Sequence, residues 1–94
     1  MKINAEAQEK LEAKIFFPNA TSEASAMAMA SRIPGFSPAH AYKAQTQSYG
    51  PDFKVWAVCG YVNKPLDSDL SERLSMRFWV EYGSEWYEYN PGGG

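Results

Sequence analysis

The residues of this sequence whose side chains could do chemistry are few and scattered. His40 is the single histidine and Cys59 the single cysteine, so neither has a partner of its kind to share a metal ion. A catalytic pair of these two would require the fold to bring them together with the thiol exposed. Asp67 and Asp69 flank Ser68, but the segment lacks the glycine and the terminal glutamate of a calcium loop. We therefore predict no catalytic residues, no metal site and no cofactor, and a protein that is not an enzyme.

Cys59 lies in the segment around which the rest of the chain is organised, FKVWAVCGYV at 53–62. Its β-branched and aromatic residues, bounded by turn residues, predict a strand. Both faces of this strand are largely apolar, so we expect it to lie centrally in a sheet. A thiol in the middle of such a strand is more often a small core residue than a nucleophile.

The other segments predict one main helix and further strands. The helix covers 21–33, with Thr21 or Ser22 as its cap and Pro34-Gly35 at its end. Alternating apolar residues predict strands over 10–17, 41–49, 76–82 and 85–89, with a loop over 36–40. We predict that the first nine residues form a flexible arm or a frayed helical turn. The competing interpretation is a helix capped by Asn4, which would replace the start of the strand over 10–17. The segment 66–75 is either a short helix capped by Asp67 or Ser68, or a long loop.

The order of these elements predicts an α+β domain. It is a single-layer antiparallel sheet of four to five strands with the main helix, 21–33, packed on one face. If 66–75 is helical, the first six elements run β-α-β-β-α-β, the order of a ferredoxin-like sandwich. A chain of 94 residues makes one domain, which we place at 1–90, followed by a disordered tail at 91–94.

Charge is distributed unevenly along the chain, whose net charge is −2. From Asp67 onward, two arginines oppose six carboxylates. This acidic balance disfavours a phosphate backbone as partner and mildly favours a basic protein surface. The polar N-terminus lacks the apolar core of a signal peptide, and no apolar run reaches the length of a membrane span. For this reason we expect a protein that does not engage membranes. A single cysteine also allows no intrachain disulfide, which fits a reducing cytoplasm, and we therefore expect a cytoplasmic protein.

Aromatic residues are concentrated towards the C-terminus, and ten of the fourteen lie from Tyr49 onward. If Phe78, Val80 and Tyr82 point into the core, Trp79 points outward, and 85–89 must also present rings to solvent. Exposed Trp, Tyr and Arg are the residues that protein interfaces use as anchors. The predicted partner-binding residues are Arg77, Trp79, Glu81, Glu85, Trp86, Tyr87, Glu88 and Tyr89.

Two classes of function are compatible with these patterns. The first is a small non-enzymatic protein-binding module that uses this aromatic and acidic sheet face, and a homodimer is also allowed. Small acidic domains without catalytic groups are common among inhibitors from phages and mobile elements, including anti-CRISPR proteins. By this analogy of class alone we expect a stoichiometric inhibitor of viral origin. The alternative is a nucleic-acid-binding domain in which Trp56 and Trp79 stack on bases, supported by Lys43, Lys54 and Lys64. The acidic balance makes nucleic acid the weaker candidate.

Overall fold

A computed structural model describes residues 11–45 and 54–91 of this chain. Its elements are β1 (Leu11–Phe17), α1 (Glu23–Ser31), β2 (Phe36–Gln45), β3 (Lys54–Val62), α2 (Leu70–Leu74), β4 (Phe78–Tyr82) and β5 (Glu85–Tyr89). The predicted α+β fold, an antiparallel sheet with one main helix, is confirmed. Because 66–75 contains α2, the first six elements follow the β-α-β-β-α-β order. The predictions for residues 1–10 and 46–53, and for residues 92–94 of the tail predicted at 91–94, lie outside the described residues.

The sheet has the strand order β2-β3-β1-β4-β5, and every neighbouring pair is antiparallel. β3 is an interior strand, as its two apolar faces predict, although β1 occupies the middle of the sheet. Val55 and Val58 are both buried and, by the alternation of the strand, lie on its opposite faces. The outer strands are β2 on one side and β5 on the other.

Helix α1 is held at its start by a capping box. The Ser22 hydroxyl accepts from the amide of Ser25, and the Ser25 hydroxyl accepts from the amide of Ser22, at 3.1 Å and 3.0 Å. Ser22 is one of the two predicted caps. Ala26 and Ala30 are fully buried, and their small side chains let the helix lie close to the sheet.

Strand β2 corrects the predicted loop at 36–40, because the strand begins at Phe36. The register between β2 and β3 shifts between Pro38 and His40, so a bulge accommodates the proline. Proline lacks an amide hydrogen, and an outer strand is where a sheet tolerates this. Gly60 lies opposite Pro38, and a Cβ there would overlap the backbone carbonyl oxygen of Ser37 and come within 2.6 Å of the Phe36 ring.

The predicted caps of α2 are wrong. Asp69 is at the N-cap and its side chain makes no capping hydrogen bond. Arg73 instead binds the carboxylates of Asp67 and Asp69, at 3.1 Å and 3.4 Å. Ser75 follows the last residue of the helix as its C-cap, with a left-handed φ of 52°.

The two faces of the sheet have different surroundings. One, which we call the helix face, carries the apolar core under α1, and Leu70 of α2 joins this core. Ile15, Val58 and Val80 lie together on it in register. The other we call the open face, because no helix in the described ranges, 11–45 and 54–91, packs against it. Its side chains include Lys14, Phe16, Tyr42, Cys59, Trp79, Glu81, Trp86 and Glu88.

Candidate functional site

The hairpin of β4 and β5 carries the predicted binding residues. Gly83 and Ser84 form a two-residue loop, with Tyr82 opposite Glu85 at its base. Gly83 has a φ of +62°, whereas Ser84 has a negative φ. A glycine with positive φ in the first loop position is typical of a type II′ turn, which matches the twist of paired strands. The sequence therefore fixes the register of this hairpin locally.

This register divides the predicted binding set between the two faces of the sheet. Trp79 lies opposite Glu88, and Glu81 lies opposite Trp86. These four, with the guanidinium of Arg77, lie on the open face. Glu85, Tyr87 and Tyr89 lie on the helix face, opposite Tyr82, Val80 and Phe78. The eight residues therefore do not form one continuous surface.

Trp79 lies on the open face, as predicted, but the expectation that it is exposed is wrong, because only 4% of it is accessible. The ring of Trp86 packs edge-on against it, with centroids 6.4 Å apart and planes at 86°. The guanidinium of Arg77 lies 5.8 Å from the centroid of the Trp79 ring. Trp79 is therefore covered by Trp86 from across the hairpin and by Arg77, two residues earlier in the chain, and Trp86 itself is 54% exposed.

Glu88 is held in its charged form by its surroundings. Hydrogen bonding from the side chain of Trp79 lowers the pKa of the Glu88 carboxyl, and Asn90 and Arg77 act in the same direction. A nitrogen of the Arg77 guanidinium lies 3.6 Å from a carboxylate oxygen of Glu88. These contacts orient the carboxylate without covering it, since Glu88 is exposed.

Tyr89 is a core residue, so its predicted accessibility is also wrong. It is 7% exposed and stacks on Phe78, with ring centroids 4.7 Å apart. Its hydroxyl donates to the carbonyl of Leu66 at 3.0 Å, while the amide of Leu66 donates to the hydroxyl of Tyr82 at 2.9 Å. Burial, together with Tyr82, raises the pKa of Tyr89 to about 12. These two hydroxyls hold the segment before α2 against the hairpin.

The accessible part of the predicted set is β5 itself, where all residues except Tyr89 are exposed. Tyr87 is 48% exposed on the helix face, and its hydroxyl donates to a carboxylate oxygen of Glu85 at 2.9 Å. Trp86 and Glu88 are its counterparts on the open face. The outer strand thus presents one large ring and one carboxylate on each face.

His40 and Cys59, which the sequence leaves unconnected, lie directly opposite each other on β2 and β3. Both are on the open face, with His40 exposed and Cys59 half-buried. The bulge beside Pro38 sets this register, and sequence patterns do not locate a bulge. Lys14 is the next residue of the same row, on β1. Across the described residues, no group of three or more His, Cys, Asp or Glu could hold a metal ion.

The features that support nucleic-acid binding lie on different faces. The ammonium group of Lys43 is 5.5 Å from the centroid of the Trp56 ring, on the helix face. Trp79 is on the open face and is buried. The two tryptophans therefore do not form one stacking platform.

No family model, curated protein or solved structure matches this chain. Neither helix in the described part of the chain is long and apolar enough to cross a bilayer. Functional evidence therefore comes from the contacts and exposure of this chain's own residues.

Proposed function

We propose that this chain is a small non-enzymatic protein-binding module that engages its partner through β5. The observation that carries this proposal is the exposure of two large rings on one outer strand, Trp86 at 54% and Tyr87 at 48%. Tryptophan and tyrosine dominate the binding energy of protein interfaces, because they bury much apolar area at little entropic cost.

Both rings are held in place before a partner arrives. Trp86 rests against the buried ring of Trp79, and the Tyr87 hydroxyl is bonded to Glu85. Ordering side chains on binding lowers affinity by about 0.5–1.5 kcal/mol for each mobile residue. Preorganised rings avoid part of this loss, which suits an interface anchor.

The charges around the rings favour a partner with a basic surface. Glu85 and Glu88 are exposed on the same strand, and the lowered pKa of Glu88 keeps it negative over a wide pH range. Complementary charge raises the rate of association and excludes acidic partners. By the class analogy above, the mode of action would be stoichiometric inhibition of a cytoplasmic protein, as phage and anti-CRISPR inhibitors do.

The test is partner capture from the native host with matched aromatic variants. Trp86→Ala should release the partner, and binding of the purified partner should weaken by at least about 30-fold, the effect of losing a 2 kcal/mol anchor. Tyr61→Ala is the control, because Tyr61 is a similarly exposed ring, at 47%, on β3.

Equal capture by wild type and Trp86→Ala would contradict the proposal. Binding that nuclease treatment abolishes, and that falls steeply between low and moderate salt, would instead favour a nucleic-acid partner.

A further inference from the structure

The backbone of β5 has an edge along which no described strand pairs. In a two-residue hairpin the pair at the base of the loop, here Tyr82 and Glu85, exchanges backbone hydrogen bonds, and the pairs alternate from there. Val80 and Tyr87 are again a hydrogen-bonded pair. The backbone groups of Trp86 and Glu88 therefore point away from β4. Each of these two residues offers an amide and a carbonyl to a further strand.

The side chains on this edge have a fixed pattern. Glu85 is on the helix face and Glu88 is on the open face, three residues later. Between them lie Trp86 on the open face and Tyr87 on the helix face. A shallow groove lined by Pro65, Leu66, Tyr82 and Tyr87 runs beside Tyr87 on the helix face.

We propose that β5 pairs with an extended segment of a partner protein that carries basic residues at positions i and i+3. This inference rests on the proposed function and specifies its recognition mode. In a strand laid along β5, the residues beside Glu85 and Glu88 are three apart and lie on opposite faces. Lysine or arginine at those two positions meets a carboxylate on each face. The two residues between them lie beside Trp86 and Tyr87, where β-branched or aromatic side chains pack well.

The charge of β5 disfavours a second copy of this chain as the occupant. Pairing β5 with the same strand of another copy places four carboxylates, Glu85 and Glu88 of each chain, along one strand–strand interface, where like charges repel. Exposed carboxylates on an outer strand also discourage uncontrolled edge pairing, which is a known protective device of sheet proteins. A basic strand is the occupant that removes this repulsion.

The experiment uses the full chain and a capped nine-residue peptide of threonine and valine with lysines three positions apart. One control peptide has the same composition with the lysines two apart, which places both on one face. A second control replaces the valines by proline, which removes amide donors. Backbone amide spectra and hydrogen exchange of Trp86 and Glu88 report pairing. We expect slowed exchange at these two amides. Binding should be a few-fold weaker for the peptide with lysines two apart, which loses one exposed ion pair, and at least about tenfold weaker for the proline peptide, which loses backbone hydrogen bonds.

Two protein variants separate backbone pairing from charge. Glu88→Gln removes the charge and keeps the amide, so binding of the lysine peptide should fall only a few-fold. Glu88→Pro removes the outward amide without removing a bond to β4, and it should abolish binding. If Glu88→Pro does not fold, the double variant Glu85→Lys with Glu88→Lys serves instead. It should reject the lysine peptide and bind the same peptide with glutamates in place of the lysines.

Equal binding of all three peptides, or a double variant with unchanged preference, would overturn the inference. The strand-pairing inference also falls if the captured host partner needs Trp86 but binds Glu88→Pro as well as it binds wild type. In that result the proposed function, binding through β5, stands. If the host partner also binds Trp86→Ala normally, both proposals fall.

Discussion

Replacing Trp79 by alanine tests whether the open face of the sheet has a buried layer of its own. Trp79 is 4% exposed although no described helix covers it, because Trp86 and Arg77 lie against its ring. Truncation of a buried Phe or Trp to alanine lowers the free energy of unfolding by about 3–5 kcal/mol. We expect a loss near 3 kcal/mol, at the lower end of this range. Trp86 and Arg77 lie at the surface and can move partly into the vacated space.

The matched control is Trp86→Ala, which removes the other ring of the same pair. Trp86 is 54% exposed, so its truncation should remove little beyond the edge-to-face contact, about 0.5–1.5 kcal/mol. Urea denaturation followed by far-ultraviolet circular dichroism measures both losses without relying on tryptophan fluorescence. The denaturant slope should match wild type in both variants, which ensures that the midpoints compare stability alone.

A loss for Trp79→Ala equal to or below that of Trp86→Ala would refute this reasoning. It would mean that the ring is not part of the folded core. If Trp79→Ala fails to fold, Trp79→Phe replaces it, with a smaller loss still expected to exceed that of Trp86→Ala.

Three further predictions follow from single contacts. Gly60→Ala should lower the free energy of unfolding by about 1–3 kcal/mol or more, because the added Cβ overlaps the backbone carbonyl oxygen of Ser37 as well as the Phe36 ring. Thermal unfolding measures this loss, and Phe36→Leu/Gly60→Ala should recover little of it, because the overlap with the Ser37 carbonyl remains. A Gly60→Ala variant as stable as wild type would contradict the close approach of β2 to Gly60. The raised pKa of Tyr89, about 12 against an ordinary 10.0, means that its contribution to stability is complete below pH 10 and is lost towards pH 12. Denaturation at pH 9 to 11 should therefore show a fall that Tyr89→Phe reduces, and an unchanged slope would argue against burial of the hydroxyl. The pKa of Glu88 is lowered from its ordinary 4.5, so its contribution to the stability of the fold is present above pH 4.5 and is lost on further acidification. Glu88→Gln should therefore reduce the loss of stability at acid pH. An NMR titration of the Glu88 carboxyl with an ordinary midpoint would contradict this.

The element types of the C-terminal hairpin could be predicted from sequence because their signals are local. Alternation of large apolar and polar residues over 76–82 and 85–89 indicates two strands, and Gly83 with Ser84 indicates the turn between them. The hairpin register follows from the same two residues, and β5 spans the predicted residues. Ser22 as the cap of α1 is a local signal of the same kind.

Exposure within the candidate site could not be predicted, because it depends on side-chain contacts that form only when the sheet and the neighbouring segments assemble. Alternation correctly places Trp79 on the face opposite Phe78, yet the burial of Trp79 depends on Trp86 across the hairpin and on the path of Arg77. Likewise, Tyr89 is buried because it stacks on Phe78 and bonds to the distant carbonyl of Leu66. These contacts join segments whose relation only the assembled sheet defines.

The position of β5 in the sheet explains how its side chains can serve binding without harming the fold. The strands β2-β3-β1-β4 already complete the β-α-β-β-α-β arrangement, and β5 adds one further strand at the outside. Only Tyr89 of this strand is buried, so Tyr89 attaches the strand to the core while residues 85–88 remain accessible. Trp79 contributes both to stability, because its ring is buried on the open face, and to binding, because it supports the exposed ring of Trp86. Substitutions at 85–88 should therefore change binding more than stability, whereas substitutions at Trp79 and Tyr89 should change both.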